Sequence, residues 1–453
     1  CMEMAAGYKI VAAGLDNSRK GGTQLEQSIH NAIRYLGEAL LGSYAIYVPY
    51  PAGIWRDLHS LYELATRHGL ADGIANGKPA PVQGMGSIAN SYKQNLLLSL
   101  ACPYRMRQSE VKSVYTLLSD WAAHCRLHTP GSADARGYFT CHLDSDEPPR
   151  YLRDGQREAQ DSRWLIIDTS TLEEPVSATI ARRQKTTARL STLPDEAVLQ
   201  RLMLSWGMMP KRRFPRHDSE SRIRLVIGLA AIHHALDGPV KAHSPEHATA
   251  EETVEDGQYL RDPTFEKPTT FSTTPTDPKS EESPFRGAYS PGARIRESTA
   301  NIESWKMLDM SAGGYCLLWD SAGTSGAHVG ELVAISEKDE DNDWHLGVIR
   351  WMRFTPSEGL SLGVQMLSPG ARPVLASVCK DQAGMEDRMH GILLPGVTAI
   401  DQPDTLLLPS LPFHTGCLST LREANSEQTI RLTGQVEDTG SFAQFHFTED
   451  GAG

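Results

Sequence analysis

No apolar run in this chain approaches the roughly 20 residues that a membrane-spanning helix requires. No Gly-rich phosphate loop ends in Lys-Ser/Thr, and there is no Gly-x-Ser-x-Gly elbow or His-Glu-x-x-His zinc motif. With those signatures missing, we expect a protein that is not an enzyme. The segment "IHHAL" does set His233 and His234 side by side. Read as strand, it points them to opposite faces, one buried and one exposed, which is not a catalytic pair. Cations are in the minority, 44 Lys and Arg against 56 Asp and Glu, for a net charge of −12. Such a chain does not bind a nucleic-acid polymer across a broad surface, so any anion must be held at a local basic site. The N-terminal "CMEMAAGYKI" lacks a basic segment followed by an apolar one, and no signal peptide is expected. The seven cysteines include no Cys-x-x-Cys pair, which favours reduced thiols and a cytoplasmic location over a disulfide framework.

One patch has metal-like composition: His124, Cys125, His128, Cys141 and His142. Zinc takes four such ligands, usually as two close pairs. The stronger reading is structural, because Cys125 follows an apolar helical pattern and suits a small core position. No metal or other cofactor is expected.

What is present falls into zones. Up to about residue 130, apolar residues recur at steps of three and four. Leu25, Ile29, Ile33, Leu36 and Leu40 share one helix face, as do Trp55, Leu58, Tyr62 and Ala65. Ile88, Tyr92 and Leu96 form another, then Val111, Tyr115, Leu118 and Trp121. Residues 1–135 therefore read as a helical domain, either a tetratricopeptide-like array of helix pairs or an ordinary bundle. Residues 136–206 change character. "GYFTCHL" and "SRWLIIDT" read as short strands, and a helix is expected from about Pro194 to Trp206. "IRLVIGLAAI" reads as a buried strand. From 239 to 298 the chain is rich in Pro, Ser, Thr and Glu and nearly free of aliphatics. Such a stretch buries too little apolar surface to offset its ordering entropy, and we read it as a disordered insertion.

After it come short apolar runs at turn-punctuated spacing: "YCLLW", "GELVAIS", "HLGVIRWMRF", "LSLGVQML" and "PVLASVC". These indicate a small antiparallel barrel, placed over 207–380. A second β region, 381–453, contains "HGILLPG", "DTLLLPSL", "GCLSTLR", "TIRLTGQV" and "AQFHF". The overall class is α+β multidomain.

Against the acidic background, "KRRFPRH" at 211–217 packs four cations into six residues. A planar guanidinium gives two parallel hydrogen bonds to phosphate, or to O6 and N7 of guanine. Arg212, Arg213 and Arg216 thus suit a small ligand carrying both groups. More than ninety residues later stands "LDMSAGGY". Asp309 and Ser311, two apart in an extended stretch, point the same way. A carboxylate accepts the paired N1–H and N2–H donors of guanine, and a serine hydroxyl can donate. Gly313 and Gly314 permit a tight turn and close approach.

This pair of motifs resembles the Arg-Arg-x-x-Arg and Asp/Asn-x-Ser-x-x-Gly signatures of PilZ domains, over roughly residues 207–380. The resemblance implies a small six-stranded barrel that binds the bacterial second messenger cyclic di-GMP through Arg212, Arg213, Arg216, Asp309, Ser311 and Gly314. It implies a receptor that passes the messenger's level to a protein partner, in motility, pilus, adhesion or exopolysaccharide control. We assign that partner to the helical N-terminal domain. The alternative is a protein-interaction scaffold whose barrel does not bind nucleotide. The wide spacing of the motifs departs from the family pattern and puts the insertion between the first two barrel strands. Loop-closure cost rises only with the logarithm of length, so the barrel should tolerate it.

Overall fold

A computed structural model describes residues 1–16, 22–72, 86–130, 138–152, 163–185, 193–207, 215–237, 301–311, 313–320, 325–337, 344–368, 370–377, 388–396, 403–423 and 426–450. The insertion expected at 239–298 lies outside them.

Five helices open the chain: α1 (Met2–Leu15), α2 (Gly22–Ala45), α3 (Ile54–Arg67), α4 (Ile88–Leu100) and α5 (Gln108–Trp121). The periodic residues read from sequence form their inner faces. Leu25, Ile29, Ile33, Leu36, Leu40, Trp55, Leu58, Tyr92, Leu96, Val111 and Leu118 are all buried. Helix α2 packs against α1, α3, α4 and α5. In an array each repeat touches only its neighbours, so of the two arrangements considered the chain adopts the bundle.

A four-stranded sheet follows, in the order β1 (Arg126–His128), β4 (Trp164–Asp168), β2 (Phe139–His142), β3 (Arg150–Tyr151). Helices α6 (Glu173–Lys185) and α7 (Glu196–Gly207) complete this part. It shares one core with the bundle, in which Ile167, Val176, Leu199 and Trp206 cluster with the helical residues. Asp146 joins the two by accepting from the N–H groups of Gly53, Trp55 and Arg56 at the start of α3, where the helix dipole favours an anion. Cys125 and Cys141 of the metal-like patch are buried, and burial pushes both thiols up to about 12. They act as core residues. Among the described residues no three ligand-type side chains converge as a metal site would require.

The middle barrel is built from β6 (Arg222–Ile227), β7 (Glu303–Ser311), β8 (Gly314–Trp319), β9 (Leu332–Ser336), β10 (His345–Thr355) and β11 (Gly359–Ser368). The hydrogen-bonded order β7-β6-β9-β10-β11-β8 closes through β7–β8, and the short β5 (His217–Asp218) extends β6's side of β7. Inside are Ile223, Leu225, Trp305, Leu317, Val333, Ile349 and Leu362.

Two sequence expectations need correction. "IRLVIGLAAI" is not one strand, because β6 stops at Ile227, Gly228 turns the chain at φ 93°, and α8 (Leu229–Asp237) begins. Leu229, Ile232 and His233 lie at steps of three and one and are buried, as a helix face packed on a sheet demands. His233 and His234 therefore sit on a helix, not on opposite faces of a strand. The segment "PVLASVC" also changes barrels. Its strand β12 (Arg372–Ser377) pairs with β13 (Arg388–Leu394) and β15 (Leu418–Glu423). With β14 (Thr405–Leu408), β16 (Ser426–Asp438) and β17 (Ala443–Glu449) these close a second barrel. Strand periodicity locates a strand but not its partner, and here the partners lie C-terminal.

Helix α8 is wedged between the barrels. Its Leu229, Ile232 and Ala235 share a core with Leu332 and Val348 of the middle barrel and with Ile392, Leu407 and Phe442 of the second. The helical region also docks on the middle barrel. Tyr47 is buried among the middle-barrel core residues, and its carbonyl accepts from the Phe354 N–H at 2.7 Å. Among the described residues Cys1, Cys102, Cys125, Cys141 and Cys316 are free. Cys417 is disulfide-bonded, which departs from the all-reduced expectation at that position. Among the described residues no helix is long and apolar enough to cross a membrane.

Candidate functional site

Strand β7 carries Asp309 and Ser311 to the rim of the middle barrel, and β8 leaves it at Gly314. Both strands are in register there, with Asp309 opposite Cys316 and Ser311 opposite Gly314. Immediately before Asp309, Leu308 is an extra residue in the ladder between the pairs Met307–Leu317 and Asp309–Cys316. Such a bulge re-aims the side chains that follow it. On the far side, β5 pairs with β7, and Asp218 faces Asp309. This brings the start of β5 over the rim, where Arg216 donates to Asp309 at 2.8 Å. The two are 39% and 18% exposed, so the pair is open to a competing ligand.

Ser311 holds the reversal together. Its hydroxyl accepts from the Gly313 N–H at 3.3 Å and donates to the Gly314 carbonyl at 3.4 Å. Gly314 is required for a reason the sequence did not show. Its φ is 151°, and a Cβ there would stand 1.9 Å from the Val364 carbonyl oxygen of β11. The neighbouring strand, not only a ligand, excludes a side chain.

Arg216, Asp309, Ser311 and Gly314 line one cleft of about 250 Å³. The remaining two residues of the arginine motif, Arg212 and Arg213, lie outside the described residues. Sequence reasoning missed other lining groups: Arg105, Tyr315, Arg350, Trp351, Gly363 and Gln365. Arg350 is the extra residue of a second bulge, between the pairs Ile349–Val364 and Trp351–Gly363. It donates through Nε to Gln365 at 2.7 Å and holds Glu437 of the second barrel through both terminal nitrogens. Trp351 lies across Gly363, where a Cβ would fall 1.9 Å from the indole nitrogen. A glycine in the middle of "LSLGVQML" is a known mark of close approach, and this signal was available. Nothing in "PYRMR" marked Arg105.

Two lining or adjacent groups are kept neutral. Burial, reinforced by Glu337, pushes the Tyr315 phenol up to about 12. Burial, then the Asp309 carboxylate, pushes the Cys316 thiol up to about 11. The rim thus offers guanidinium forks, a carboxylate, a hydroxyl and an indole face. These are hydrogen-bonding and stacking groups suited to holding a nucleotide-like anion.

Comparison with known proteins decides the family. Residues 138–373 match the model described as "Cyclic-di-GMP receptor FimW, middle PilZ domain". The FimW N-terminal domain model matches residues 1–133, and the FimW C-terminal beta-barrel domain model matches 374–449. This chain belongs to the FimW family. A FimW relative, the cyclic-di-GMP receptor FimW of Pseudomonas aeruginosa, is 28% identical over 475 aligned positions, covering 98% of this chain and 76% of the relative. No solved structure matches the chain. The FimW boundary at 373/374 falls within β12, at the join of the two barrels.

Proposed function

We propose that this FimW-family chain is a receptor for cyclic di-GMP, bound at the rim cleft of its PilZ barrel, and not an enzyme. The observation that carries the reading is the Arg216–Asp309 pair beside Ser311 and Gly314, in a chain matched end to end by FimW models. Arg216, with Arg212 and Arg213 just before it, takes phosphate oxygens or the O6/N7 edge of guanine. Asp309 accepts guanine N1–H and N2–H. Each carboxylate oxygen has two lone pairs, so it can do this without releasing Arg216. Ser311 keeps the turn tight enough for close approach at Gly313 and Gly314. The level of messenger is passed to a protein partner on the helical region, in the cytoplasm.

Titration calorimetry of the purified chain with cyclic di-GMP tests the reading. Arg216→Ala should weaken binding roughly tenfold to a hundredfold, the range for hydrogen bonds to charged groups. Asp309→Ala should cost a similar factor and also reduce discrimination against cyclic di-AMP, since adenine lacks the N1–H and N2–H donors. A wild-type chain, shown folded by circular dichroism, that evolves no heat at micromolar ligand would refute it.

A further inference from the structure

Two clefts meet at Arg105, Arg350 and Gln365, which line both. The smaller is the rim cleft of about 250 Å³. The larger, about 490 Å³, lies where the helical region and both barrels converge. Small-molecule sites run to roughly 300–1,000 Å³. The rim cleft alone is under size for a ligand with two guanines and two phosphates, whereas the joined basin is within range.

Charge sorts the lining residues. Arg216 is paired with Asp309, and Arg350 with Glu437. In the larger cleft Arg107 and Arg201 both reach Glu110. Arg105 differs. It is exposed at the shared wall, and among the described residues no carboxylate pairs with it. Arg105, from the helical region, is thus a lining guanidinium open to an anion, in a basin whose lining also includes the carboxylates Glu110, Asp195, Asp309, Glu437 and Asp438.

This cation is also well positioned. It closes a 3-10 turn, Pro103–Arg105, that follows Cys102 at φ 56°. Its own N–H donates to the Cys102 carbonyl at 2.9 Å, and the Met106 N–H donates to that of Pro103 at 3.1 Å. Tyr104 between them donates to the Val48 carbonyl at 2.9 Å, and the Arg353 guanidinium of β10 lies 6.0 Å from its ring. The backbone under Arg105 is thus tied to both the bundle and the barrel.

We propose that Arg105 is a phosphate-binding residue of the cyclic-di-GMP site, which therefore spans the helical region and the PilZ barrel, with the ligand lying across the wall between the two clefts. The proposal rests on the receptor reading above. Its consequence is a mechanism of coupling: a ligand held from both sides favours the docked arrangement by its differential affinity for it.

The test uses the full chain, calorimetry with cyclic di-GMP, and four variants: Arg105→Ala, Arg105→Lys, Arg216→Ala and, as a charge control outside both clefts, Arg67→Ala. Among the described residues no carboxylate pairs with Arg105, so its loss should leave the thermal midpoint within error. Arg105→Ala should bind roughly tenfold to a hundredfold more weakly, Arg105→Lys should recover part of the loss, and Arg67→Ala should bind as wild type. The Arg105→Ala penalty should shrink as salt is raised from about 0.1 M to about 1 M and the screening length falls. Hydrogen exchange should show residues 103–106 protected by ligand in the wild-type chain. If Arg216→Ala loses binding while Arg105→Ala binds as wild type, the receptor reading stands and Arg105 is outside the site. If the wild-type chain does not bind, both fall.

Discussion

Two closed six-stranded antiparallel barrels follow one another in this chain, and only one of them carries the candidate site. Their interiors are alike. The middle barrel is filled by Trp305, Leu317, Val333, Ile349 and Leu362, the second by Val374, Leu393, Leu406, Ile430, Leu432 and Phe445. Both are packed with buried apolar side chains, as expected for small barrels. The difference lies at the rims. In the second barrel the charges close on each other in exposed pairs, Arg372–Glu423, Arg388–Glu427 and Arg431–Asp450. In the middle barrel, glycines at 314 and 363 let backbone and indole approach, and arginines border open clefts beside the bulges at Leu308 and Arg350. The β16–β17 ladder of the second barrel is bulged as well, between Leu432 and Gly434 and between Gln435 and Glu437. Irregular pairing alone therefore does not distinguish the two barrels; in the middle barrel it coincides with Arg216, Asp309 and Arg350 at one open cleft.

Glycine substitution should break the comparison most sharply. Gly314→Ala puts a Cβ into the Val364 carbonyl at a φ that other residues avoid. It should cost about 2–4 kcal/mol and abolish ligand binding. The matching change in the second barrel, Gly434→Ala, meets nothing nearer than His446 Cδ2 at 3.8 Å. Chemical denaturation should find it within about 0.5 kcal/mol of wild type. Equal effects at both sites would mean that the two walls do not differ as described.

The join between barrels should respond next. Glu437→Ala strips the bidentate partner from Arg350, which is 27% exposed, and should destabilise the chain by about 1–2 kcal/mol. It also removes a carboxylate that holds Arg350 away from an anion, so cyclic di-GMP affinity should rise rather than fall. Calorimetry reads both the sign and the size.

Acid should loosen the same join. His233 of α8 stacks on His390 of β13 with centroids 4.4 Å apart, and His234 lies 4.8 Å from His390. Burial, then the neighbouring His390, lowers His233 from near 6.5 to about 4, against weaker opposing pulls from Asp237 and a backbone bond to Val374. Burial, then His234, also lowers His390. A histidine with a depressed folded-state pKa binds fewer protons folded than unfolded. Its stabilisation is complete above about 6.5 and is lost as pH falls towards about 4. The thermal midpoint should decline over that window, and His233→Leu should flatten the decline. The smallest effect belongs to the second rim, where Arg431→Ala removes a pair 45% and 40% exposed. It should change stability by less than about 0.5 kcal/mol and leave binding untouched.

The sequence by itself determined most of the elements, though not the break at Gly228, and half of the site. The three- and four-residue spacing in 22–121 needs only local geometry to become helix faces, and strands from "YCLLW" to "AQFHF" need only alternation and turn residues. Asp309 and Ser311 share a rim because side chains two apart on a strand point the same way. Their meeting with Arg216 was legible as a motif pair, although 93 residues separate the partners of the ion pair. The tertiary structure alone decided which strands share a barrel, which is why β12 moved to the second. It alone decided that Gly228 ends a strand and starts a helix carrying His233 against His390. It alone set the bulges that aim Asp309 and Arg350, and it brought Arg105 from another region to the same cleft. These are matters of long-range pairing and docking. A local pattern records which face of an element is apolar, and it holds no record of what that face will meet.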